Sequence, residues 1–67
     1  MKLVMQDGQD AQAGKFYPDF RGDKHLLIGG RPPQHDGSTG RVWVKIAQDA
    51  PMIEFFPSVM GMKWVQS

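Results

Sequence analysis

The stretch RVWVKI, residues 41–46, decides the fold. Its side chains alternate, with Val42, Val44 and Ile46 on one side and Arg41, Trp43 and Lys45 on the other. In an extended chain successive side chains point to opposite faces. This pattern therefore predicts a strand whose valine face looks to a core and whose tryptophan face looks out. Asp49-Ala50-Pro51 then turns the chain, and MIEFF at 52–56 predicts a second strand. There Ile53 and Phe55 lie on the face opposite Glu54 and Phe56. Two such strands joined by a short turn make a hairpin.

Toward the C-terminus, Pro57-Ser58-Val59 breaks the alternation, and proline fits the first turn of a short 3₁₀ segment. MGMKWV at 60–65 resumes it, with Met60, Met62 and Trp64 on one face. Methionine fills irregular gaps, and so small a fold can spare little apolar surface. These three are therefore expected to complete the core. Gly61 between the methionines reads as a bulge or a close backbone approach.

Toward the N-terminus, residues 29–40 (GGRPPQHDGSTG) form the longest loop, built from residues that set turn dihedrals. HLLI at 25–28 is a compact β-type run that the glycines end. FYPDF at 16–20 carries a proline that removes a ladder donor, which places it at a sheet edge or in an extended loop. KLVM at 2–5 reads as the first strand and residues 6–15 as a polar loop, a helical turn at 9–13 being too short to stand alone. No stretch carries helical periodicity with credible caps. The whole reads as one small β domain, 1–67, with loops at 6–15 and 29–40. A sheet this small must curl to bury anything. The expected fold is all-β: about four or five strands in an SH3-like barrel or a strongly bent antiparallel sheet.

The element order resembles that of an SH3-type barrel: a strand, a long loop, three strands, and a proline-led turn into the last strand. Trp43 followed by Phe56-Pro57-Ser58 is similar to the signature in which a strand tryptophan precedes a Pro-Ser turn. The resemblance covers the last third of the chain. Lys2-Leu3-Val4-Met5 stands where those domains carry a tyrosine-rich strand, Trp43 stands between valines rather than beside a second tryptophan, and the first loop has only Asp7 and Asp10 as acids. The resemblance implies a barrel and not a proline-ligand site.

Composition narrows the function. A chain of 67 residues buries only about 60% of its unfolded surface, and a single small core supplies no more than ~3–5 kcal/mol. There is no cysteine to form a disulfide, and two histidines without thiols make a poor structural zinc set. Eight basic and seven acidic side chains leave a net charge of +1, which favours neither nucleic acid nor membrane. The N-terminal residues have too short an apolar run for a signal peptide. The expectation is a cytoplasmic protein beginning at its natural methionine.

Five features carry candidate chemistry. Trp43 between Arg41 and Lys45 is the pattern of a stacking platform flanked by cations. It is equally the pattern of a protein interface, where tryptophan is enriched, or of a ring packed under the 29–40 loop. Met60, Met62 and Trp64, if turned outward, would form an adaptable apolar patch. Arg21-Gly22-Asp23 looks like an integrin-recognition tripeptide but reads better as a turn. His25, His35, Asp23 and Asp36 have the groups for metal or acid–base work, yet their spacing matches no motif, and solvated loop histidine is the plainer reading. The glycine-rich loop lacks the lysine-Ser/Thr ending and the helix of a phosphate loop, while Pro32-Pro33 favours extended geometry.

These weigh toward a non-enzymatic binding module with no metal, cofactor or small-molecule substrate. Its expected contact residues are Trp43, Arg41, Lys45 and Arg31, with Tyr17 and Phe56. The expected partner is another protein or a second copy, and the alternative is a nucleic-acid-binding regulator using Trp43 with Arg41 and Lys45. An accessory or inhibitor role in a mobile element rests only on small size and lack of catalytic chemistry.

Overall fold

The computed structural model describes residues 1–66 and is all-β. Six strands and one 3₁₀ turn follow in order: β1 (Lys2–Met5), β2 (Phe16–Pro18), β3 (Lys24–Arg31), β4 (Arg41–Lys45), β5 (Ile53–Phe55), the turn Pro57–Met60, and β6 (Met62–Val65). They form two antiparallel sheets, β1–β6 and β2–β3–β4–β5. The sheets are not closed into a barrel, so the bent-sheet form of the expected fold is the one present.

The core forms where the sheets meet. Leu27 from β3 and Val42 and Val44 from β4 pack with Met60 and Met62, while Leu3, Met5, Tyr17 and Phe55 flank them. The alternation of β4 thus does what its sequence predicts, and the methionines turn inward. Ile46 does not join this cluster. It lies past the end of β4 and is 61% exposed. Ile53 shares the face of Val44 and Phe55, opposite Glu54, as its alternation predicts, but on edge strand β5 it stays exposed.

Two local expectations are corrected. The glycines at 29–30 do not end β3, which runs to Arg31 with a bulge between Leu27 and Gly29. A Cβ on Gly30 would lie 2.5 Å from the Arg41 carbonyl and 2.9 Å from Trp64 Cζ2, so the bare backbone lets Trp64 rest on the strand. Gly61 is no close approach, because a Cβ there would meet nothing. It ends the 3₁₀ turn in the left-handed region, at φ 66° and ψ 32°. Residues 9–13 form a loop without a helical turn, as the sequence predicts. Gln9 accepts from the Met5 N–H and the Ala11 N–H donates to Leu3, which laces this loop along β1. The FYP segment is an edge strand, as its proline requires. No helix among the described residues is long and apolar enough to cross a membrane.

Candidate functional site

The outer face of β4 is the place where charged and aromatic side chains converge. Trp43 has Gly29 of β3 on one side and Glu54 of β5 on the other as cross-strand partners. Gly29 has no side chain, and the indole Cε3 lies 3.7 Å from where its Cβ would be. The indole therefore packs over bare backbone. Its Nε1–H donates to Glu54 Oε2 at 2.9 Å.

The second Glu54 oxygen is 4.0 Å from Arg41 Nε. The Arg41 guanidinium also stands 4.3 Å over the Phe56 ring, a cation–π distance, and Nη1 donates to the Gly40 carbonyl at 2.8 Å. Arg31 is the cross-strand partner of Arg41. Like charges placed opposite each other repel, and Glu54 beside Arg41 offsets that repulsion. Lys45 Nζ donates to the Gln48 carbonyl at 3.4 Å. Phe56 is 53% exposed.

Five of the six expected residues therefore share one face: Trp43, Arg41, Lys45, Arg31 and Phe56. Tyr17 does not. It packs against the core, and its hydroxyl accepts the Gln12 N–H at 2.9 Å. Further residues join the face, among them Lys24, opposite Pro18. Glu54 ties Trp43 to Arg41, and Phe16, half-exposed, lies opposite Leu26, which in turn lies opposite Lys45. Glu54 could have been found by pairing the hairpin in sequence, since it alternates outward with Phe56. Phe16 had no such signal, because only the β2–β3 register puts it there.

The 32–40 loop covers the other tryptophan. Trp64 rests on Gly30 and Gly40, and its Nε1–H donates to the Arg41 carbonyl at 3.2 Å. Pro33, Ser38 and Thr39 of the loop line a shallow cleft with Trp64, Pro57 and Ser58. Trp43 is left outside it.

The remaining candidates resolve into structure. Arg21-Gly22-Asp23 is a turn: Asp19 Oδ1 accepts the backbone N–H groups of Arg21 and Asp23 at 2.9 and 3.0 Å. Burial pushes the Asp19 carboxyl upward, but those two hydrogen bonds, with His25 and Arg21 nearby, outweigh it and hold the group below the usual carboxylate range. His25 is buried with its Nδ1 3.1 Å from the Asp23 carbonyl and 3.9 Å from Asp19 Oδ2, and its ring meets Phe55 edge-on. His35 and Asp36 are exposed on the long loop. Among the described residues no group of three or more His, Cys, Asp or Glu stands close enough to hold a metal ion.

Comparison with known proteins returns no match: no protein-family model, curated protein or solved structure is detectably similar to this chain.

Proposed function

We infer that this chain is a non-enzymatic binding module that acts through protein–protein contacts on the outer face of β4. One observation carries the reading: Trp43 lies outside the core cluster, partly buried, packed over Gly29 and hydrogen-bonded to Glu54, with exposed Phe56 two residues beyond that glutamate. An aromatic anchor fixed in advance loses little freedom on binding, and tryptophan and arginine dominate the energetics of protein interfaces. The buried histidine, His25, is enclosed by Asp19, Asp23 and Phe55 rather than opened to a cleft, which supports a non-catalytic role.

The nucleic-acid reading draws on the same cations and rings. Against it stands Glu54, a carboxylate seated between Trp43 and Arg41, at the edge of the ring on which bases would stack.

The test is a selection from a random peptide library, followed by amide NMR of the labelled protein with the selected peptides. Binding is expected to move the Trp43 indole signal and leave that of Trp64 in place. Trp43→Ala is expected to abolish binding while the melting temperature changes by only a few degrees, because the ring is not part of the core. Collapse of the fold on that substitution would sink the reading. So would a mixed-sequence oligonucleotide that moves the same signals with steep salt dependence.

A further inference from the structure

Trp43 and Arg41 together hold a carboxylate. The indole N–H donates to one oxygen of Glu54 at 2.9 Å, and the Arg41 Nε lies 4.0 Å from the other. This is the arrangement of a small acceptor site, with one neutral donor and one cation, already filled by a side chain of the same protein. The filling is loose. The Glu54 side chain is 47% exposed and that of Arg41 32%, and exposed pairs of this kind are weak.

Charge on the surrounding face is one-sided. Among its strand residues the register places Lys24, Arg31, Arg41 and Lys45, against Glu54 as the single acid. A two-fold pairing of this face with a second copy would bring four cations and one acid together from each side, an excess of like charge that disfavours self-association. A phosphate backbone would be drawn to the cations but meets Glu54 at the ring it would use for stacking. A protein segment carrying its own carboxylates satisfies both conditions: it matches the cationic face, and it offers the same group that the Trp43–Arg41 pair already accepts.

We propose that the partner is an acidic protein segment, one of whose carboxylates displaces Glu54 from Trp43 and Arg41. Glu54 is then an internal competitor that keeps the site formed when the partner is away. This rests on the protein-binding reading above and adds the chemistry of the partner.

The experiment titrates the labelled protein with three probes: a synthetic peptide in which Asp or Glu alternates with Leu, its Asn/Gln counterpart, and a mixed-sequence oligonucleotide. The acidic peptide is expected to move the Trp43 indole and the amides of β4, and the amide peptide to bind about tenfold more weakly. Glu54→Ala is expected to bind the acidic peptide roughly two- to fivefold more tightly, the range an exposed ion pair is worth. Equal binding of the two peptides would overturn the acidic partner while leaving the protein-binding reading intact. Weaker binding by Glu54→Ala would overturn the competitor role of Glu54. An oligonucleotide that moves Trp43 when neither peptide does would overturn both readings. Concentration-dependent broadening confined to the β4 face would overturn the proposal in favour of a second copy, and no movement of Trp43 with any probe would overturn it outright.

Discussion

Gly30 and Gly40 show how single residues set the fold where composition does not. A Cβ on Gly40 would lie 2.5 Å from the Arg31 carbonyl and 2.7 Å from Trp64 Cδ1, and its φ is +73°. Both the backbone conformation and the approach of the indole exclude a side chain. Gly40→Ala is therefore expected to lower unfolding free energy by roughly 2–3 kcal/mol, measured by urea titration. Gly61→Ala provides the contrast. It has open space around it and only its left-handed backbone to strain, so about 1 kcal/mol is expected. Equal losses at the two positions would show that crowding by Trp64 contributes nothing.

At the level of elements, the turn between β2 and β3 depends on one carboxylate. Asp19 Oδ1 accepts two backbone N–H groups, and His25 lies beside the other oxygen. Its folded-state value lies below the ordinary 3.8. A depressed carboxyl contributes stability that is complete above its unfolded value and is lost as pH falls through the folded one. The melting temperature is thus expected to drop on acidification below 3.8, and Asp19→Asn is expected to flatten that part of the profile. An unchanged profile in the variant would remove Asp19 as the cause. The turn itself was legible, because Gly22-Asp23 advertises it, and so were β1, β4 and the 3₁₀ turn, each marked by alternation or proline. The extent of β3 was not. A pair of glycines reads as a break, although Trp43 packs over Gly29 and Trp64, more than thirty residues away, rests on Gly30, contacts made only in the fold. The site was legible in part for the same reason: Arg41, Trp43 and Lys45 share one strand and Glu54 follows from pairing the hairpin, whereas Phe16 joins them only through the β2–β3 register, and Tyr17 leaves them by facing the core.

For the whole molecule, two sheets held face to face by five buried side chains leave little reserve. Removing a buried methionine side chain costs ~2–5 kcal/mol, while a domain of this size has about 3–5 kcal/mol in total. Met62→Ala is therefore expected to leave the chain largely unfolded at room temperature, seen by collapse of amide signal dispersion. Ile46→Ser, at a residue outside the core, is expected to change stability by less than about 0.5 kcal/mol. A large loss there would mean that Ile46 is covered in solution. The smaller sheet joins the two ends of the described chain, with Lys2 paired to Val65 and Met5 to Met62. On a ribosome the first strand is made early and must wait for the last. Until Val65 has left the exit tunnel, Leu3 and Met5 have no β6 to pair with, and the core that they flank stays open to chaperones, proteases and neighbouring nascent chains.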